Sequence, residues 1–198
     1  MTRKNFLPKL GRARLFNRAQ YLRAQAIEFV HTKNNELLKV AETLLKKILL
    51  EYPDDNSNRG CVLHTLGEIY KLNGNYNLVI DFYKQALDFE QVFPSSITQA
   101  YLNYSELIVK TNKTGIFNDL EEILLKRYSG LIFPIKKYKV NSILSILNTF
   151  KGQKEKAKQY AALAEQYAIA DTSGLRYHKS LGLVDQRDTW LDNLIRKR

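Results

Sequence analysis

The chain has a single cysteine in 198 residues, Cys61, so no internal disulfide can form and a reducing compartment is expected. It lacks any apolar run near the roughly 20 residues that a membrane-spanning helix needs. LLKKILL at 44–50 is cut by two lysines, and GLIFPI at 130–135 is short and contains Pro134. The first residues hold no apolar core segment, so no secretory signal is expected. The signatures of phosphate-binding loops, dinucleotide folds, nucleophile elbows and zinc proteases are all missing. Three histidines, His31, His64 and His178, are scattered along the chain. Cys61 and His64 lie i, i+3 on one helix, as half of a metal site would, but no second ligand pair follows at zinc-like spacing. Glu121 and Glu122 are adjacent, point in different directions on a helix, and read as a solvated face. These absences predict a non-enzymatic, cytoplasmic protein with no metal and no cofactor.

Acids are also missing from Met1 to Leu22. Residues 1–35 carry Arg3, Lys4, Lys9, Arg12, Arg14, Arg18, Arg23 and Lys33 against Glu28 alone. Residues 176–198 hold six basic and three acidic residues, and the body between them has 17 basic and 16 acidic. The net charge of +11 is therefore terminal. Three readings of the start stay open: a solvated tail, a basic arm on phosphates or an acidic partner, and an organelle transit peptide over residues 1–22. The arm would consist of residues 1–11, with Arg12, Arg14 and Arg18 continuing its charge. Two internal basic runs, Lys136-Lys137-Tyr138-Lys139 and Lys151, Lys154, Lys156, Lys158, are candidates for nucleic acid or for plain solvated surface.

What is present is helical periodicity, clearest over Cys61–Pro94. Leu63, Leu66, Ile69 and Tyr70 share one face of a helix over about 62–72. Gly67, in its middle, costs about 1 kcal/mol relative to Ala, which close approach of a second helix would justify. Asn73-Gly74-Asn75 stops that helix. A second starts near Asn77 with the stripe Leu78, Val79, Phe82, Tyr83, Ala86, Leu87 and Phe89, and Pro94 closes the unit.

The set Leu63, Leu66, Gly67, Tyr70, Tyr83, Ala86 resembles the tetratricopeptide repeat, whose pattern is W-x2-L-G-x2-Y…A-x3-F…A…P with a period of about 34. Leu63 stands for the family's Trp and Tyr83 for its Phe. Val79 is larger than the family's Ala, and Pro94 comes late. Earlier in the chain, helices are expected at about 12–32 and 35–51, with Ala41, Leu45, Ile48 and Pro53 at the repeat spacing. Tyr52 to Asn58 reads as the loop into the central unit. A degenerate pair follows, with Ser95-Ser96 as a cap, Ile97, Ala100, Tyr101, Tyr104, Leu107 and Ile108 as one face, and Phe117, Leu120, Ile123 and Leu124 on the partner. The apolar loop 129–134 is expected to pack down. In the fourth pair Leu144-Ser145 replaces Leu-Gly. Ala157, Ala161 and Ala164 follow Gly152 at the offsets at which Val79, Tyr83 and Ala86 follow Gly74. Residues 171–198 read as a cap, with one short helical pattern before Gly182 and another carrying Trp190, Leu191, Leu194 and Ile195.

The resemblance implies an all-α fold of antiparallel helix-turn-helix repeats. It would form a right-handed solenoid over residues 12–170 with a C-terminal cap. It further implies a groove lined by the first helix of each pair, holding a protein or peptide. Groove positions would be Arg23, Lys33, His64, Glu68, Lys71, Gln99, Glu106, Lys110 and Lys139. Some members of the family grip a C-terminal carboxylate. Asn103 and Lys139 match that set, whereas His64, Glu68 and Ile143 do not, so that ligand is not expected. Trp190 reads as a cap anchor or a partner-docking aromatic.

Overall fold

The structure is a computed structural model and describes residues 15–196. The residues Arg3, Lys4, Lys9, Arg12 and Arg14 of the expected basic arm lie outside them. Among the described residues there are nine α-helices, two short 3-10 turns and no strand, and neighbouring helices pack in succession. The chain forms two compact units, divided in sequence between Ala100 and Tyr101.

The first unit holds α1 (Leu15–His31), α2 (Asn35–Glu51), α3 (Asn56–Leu72) and α4 (Tyr76–Val92). Each of the last three starts where a short polar side chain takes up free backbone N–H groups. Asn34 accepts from Glu36 N at 3.0 Å and Leu37 N at 3.2 Å. Asp55 accepts from Asn58 N at 3.2 Å, and Asn75 from Leu78 N at 3.4 Å. The Asp55 cap starts α3 at Asn56, more than a full turn before the expected Val62. The polar run Asn56-Ser57-Asn58 reads as loop, but it is the first turn, and Asn58 is buried with its amide donating to Asp55. Gly74 leaves α3 at φ +73, a conformation that glycine enters without penalty.

Helices α1 and α2 pack as one pair and α3 and α4 as another, with α3 also touching α1 and α2. Ala19, Leu22, Ala26, Leu38, Leu45, Ile48, Leu66, Ile69 and Tyr83 are buried between them. Gly67 has the reason its position requires. A Cβ there would stand 2.5 Å from Tyr83 Cε1, so the glycine lets the Tyr83 ring lie on the α3 backbone.

The second unit holds most of α5 (Ala100–Lys110), then α6 (Phe117–Tyr128), α7 (Pro134–Phe150), α8 (Lys154–Ala168) and α9 (Thr189–Arg196). The start of α5 departs from expectation. Ser95 and Ser96 lie in a 3-10 turn over Pro94–Ser96, and Thr98 Oγ1 accepts from Ala100 N at 3.1 Å instead. Ile97 is 55% exposed rather than on the core face, because it precedes the helix.

α7 is buried from Val140 to Asn148 and pairs with α8. At the position matching Gly67, the Ser145 hydroxyl donates to Ala157 O on α8 at 2.9 Å. The residue at the offset of Tyr83 is Ala161, not an aromatic ring. The loop before α7 packs down at Leu131, whereas Ile132 is 55% exposed. The helical pattern before Gly182 does not form. Residues 169–188 are turns, with Gly174 at φ +79 and Gly182 at φ +71. A segment that short, bounded by glycines, cannot offset the cost of helix nucleation. Gly182 instead accepts from Ile135 N at 2.9 Å and lies against the Phe133 ring.

Candidate interaction faces

In the first unit, His64, Glu68 and Lys71 follow one another on α3 at i, i+4 and i+7. Tyr83 reaches across from α4 and donates its hydroxyl to Glu68. The His64 ring stacks on Tyr83 with centroids 5.6 Å apart, and its Nε2 is 4.0 Å from Glu68 Oε1. Burial pushes the His64 pKa below its ordinary value, Glu68 opposes that shift and Lys71 adds to it. The imidazole is therefore held neutral beside an anchored carboxylate. Lys71 is exposed at the end of this row. Arg23 is half-buried on α1, with its Nε lacking a hydrogen-bond partner among the described residues. Lys33 falls in the turn after α1 at φ +53, and Gln99 is exposed just before α5, so neither lies on a first helix. Arg18 lies on α1 with its side chain half-buried.

In the second unit the structure brings the three expected positions Glu106, Lys110 and Lys139 together, and adds residues that the periodicity does not single out. Lys139 Nζ on α7 is 2.9 Å from Glu106 Oε1 on α5 and 3.0 Å from Asp188 Oδ2 in the C-terminal segment. Desolvation works against the charge on Lys139, but the two carboxylates outweigh it and raise its pKa. Lys110 Nζ lies 5.6 Å from the centroid of the Trp190 ring, in cation–π range. Tyr138, fully buried on α7, donates to Asp192 Oδ1 at 2.9 Å, and burial together with this carboxylate pushes its pKa well up. Arg187 holds both oxygens of Glu165, at 2.9 and 2.6 Å, and bridges to Asp192 at 2.7 Å. α9 thus lies on α7, with Leu191 fully buried beneath it.

The apolar pattern of the C-terminus picks out Trp190 and Leu191 but misses Arg187, Asp188 and Asp192. The sequence does carry one signal: Asp188 and Asp192 are four residues apart, one just before α9 and one in its first turn.

The internal basic runs are largely spent within the chain. Tyr138 is not accessible for stacking on a base. Lys136 and Lys137 lie over the rings of Phe133 and Tyr167, at 5.8 and 5.0 Å. Lys151 pairs with Glu121, and Lys158 with Glu155 at 3.1 Å. Among the described residues no three His, Cys, Asp or Glu side chains are grouped so as to hold a metal ion. No helix among them is long and apolar enough to cross a membrane. Comparison with known proteins finds no matching family model, no matching curated protein and no matching solved structure.

Proposed function

We propose that this chain is a non-enzymatic protein-interaction module of the tetratricopeptide kind. It would be a right-handed array of antiparallel helical pairs acting in the cytoplasm, with the first helix of each pair presenting the binding surface. The observation that carries the reading is the seat of α9. In the second unit the face formed by the first helices α5 and α7 already holds a short helix, through Lys110, Tyr138 and Lys139. A surface that seats one helix by an aromatic, a buried leucine and two carboxylates has the ingredients of partner recognition. The α3 row in the first unit, His64, Glu68 and Lys71, offers a second surface of similar polarity.

The test is photo-crosslinking in the native host, with a photoreactive residue in place of Lys71 on α3 or of Lys84 on α4. The expected result is a nuclease-resistant protein adduct at position 71 and none at 84. Equal capture at both positions, or capture of nucleic acid alone, overturns the reading. The latter result would favour the other function that the sequence supports, phosphate binding by Arg3, Lys4, Lys9, Arg12, Arg14 and Arg18. The acid-free start of the chain is the observation on its side.

A further inference from the structure

We propose that α9 is an exchangeable self-ligand. The α5/α7 face of the second unit binds short amphipathic helices that carry an aromatic–aliphatic pair flanked by carboxylates, and the chain's own C-terminal helix occupies it until such a helix takes its place. The proposal rests on the interaction-module reading and names the partner's chemistry.

Four observations support it. First, α9 is too short to be stable alone, so it exists only while seated. Its hold is thin: among its described side chains Leu191 alone is fully buried, and Trp190, Leu194 and Ile195 are half-buried. The pairs Asp188–Lys139, Asp192–Tyr138 and Arg187–Glu165 fasten one edge of it. Of these, Arg187–Glu165 is the most exposed, contributes little net stability and weakens with salt.

Second, the chain has a place to part. Gly182 is bonded to Ile135, and Val184 packs against Tyr138, Ala164 and Ala168. Asp185 and Gln186, which follow, are exposed. Release at 185–186 leaves α7 and α8 paired and frees α9 as a unit.

Third, the charges define a code. The receiving face contributes Lys110, Lys139 and the Tyr138 hydroxyl, and the helix contributes Asp188 just before its start and Asp192 in its first turn. Carboxylates there are also favoured by the helix dipole. A partner helix presenting two acids four residues apart around an aromatic–leucine pair would meet the same groups.

Fourth, space remains at the far end of α9, between α7 and α8. Beyond Leu191, Ile195 borders a pocket of about 260 Å³ lined by Ser145, Thr149, Ala157 and Ala161 with Lys154 and Lys158 at its rim. By its offset from Gly152, Ala161 in this lining corresponds to Tyr83, which follows Gly74 at the same distance and packs on Gly67. An incoming helix with a larger apolar residue at the Ile195 position would bury more surface than α9 does.

The test uses the full chain and a fluorescein-labelled synthetic peptide of residues 185–196. Tethering gives α9 a millimolar effective concentration, which suppresses peptide binding to the unaltered chain. Leu191→Ala in the chain loosens the tethered helix, and the peptide is expected to bind that variant at least about tenfold more tightly. A peptide carrying Asp188→Asn and Asp192→Asn should lose that gain, and one with Ile195→Phe should exceed it. Equal affinity, or none, for chain and variant overturns the proposal. A second measurement on the unaltered chain does not depend on the variant folding. Amides of 189–196 should exchange with deuterium at least about a hundredfold faster than those of 140–148, and equal protection overturns the proposal. Failure here with a position-71 adduct intact would leave the interaction-module reading standing and make α9 a fixed cap.

Discussion

At position 67 a missing methyl group decides how two helices meet. Gly67 costs its helix about 1 kcal/mol in propensity, and the fold offsets this by packing a fully buried ring against it. Gly67→Ala should therefore destabilise the fold by about 1–3 kcal/mol through overpacking, in spite of the better helix former. Urea denaturation checks this, and a neutral or stabilising result would mean that Tyr83 has room to move. The neighbouring His64 makes stability depend on pH. Its pKa is lowered in the fold, so the unfolded chain binds the proton more readily as pH falls below the ordinary value of 6.5. Stability is then full above about 6.5 and declines on acidification through that value. Glu42 and Glu121 act later. Burial raises their pKa values, but hydrogen bonds from Lys46 and Tyr70, and from Lys151 and Asn148, lower them overall. Their contribution falls away below about 4.5. His64→Gln should flatten the stability profile just below about pH 6.5 and leave the fall below about 4.5, as read by thermal melts at each pH.

At the scale of elements, most helices are legible in the sequence because the apolar stripes and the glycine turns agree with one another. Leu38, Ala41, Leu45 and Ile48 are all buried, as are Val79, Tyr83 and Ala86. The misses occur where a polar side chain has two uses. Asp55 and Asn58 read as loop but make a cap. Glu121 and Glu122 read alike but diverge in the fold: Glu122 meets Lys126 at the surface, while Glu121 reaches α7 and accepts from Asn148 at 3.0 Å and from Lys151. Periodicity gives a side chain's direction on its own helix and not what arrives there from another. The same limit hides what Arg187, Asp188 and Asp192 meet on α8 and α7, namely Glu165, Lys139 and Tyr138. Glu121→Ala should cost about 1–3 kcal/mol by leaving Lys151 without its carboxylate where α6 meets α7, and Asn148 with Leu144 O as its remaining acceptor. Glu122→Ala should make no measurable difference. The two urea midpoints, compared directly, decide whether Glu121 ties α6 to α7, and equal midpoints would refute it.

At the scale of the molecule, the charge is divided by role. Between the ends, cations and anions are nearly equal in number, and many are committed to each other: Lys39 to Glu36, Lys46 to Glu42, Lys47 to Glu51, Lys139 to Glu106, Lys151 to Glu121. The helical body has little net charge with which to attract a polyanion at long range, whereas the N-terminal stretch has much. Residues 1–14 carry Arg3, Lys4, Lys9, Arg12 and Arg14 and no acid, so their removal lowers the net charge of +11 by five. That deletion should move elution from a heparin column to lower salt. It should also flatten the salt dependence of any DNA binding by up to about 4–5 in log–log slope, at roughly 0.9 for each phosphate that the arm no longer neutralises. Capture of a protein through position 71 should hardly change. Loss of that capture together with the polyanion binding would place the partner on the arm rather than on α3. Retention of both would show that the cations of the folded body suffice.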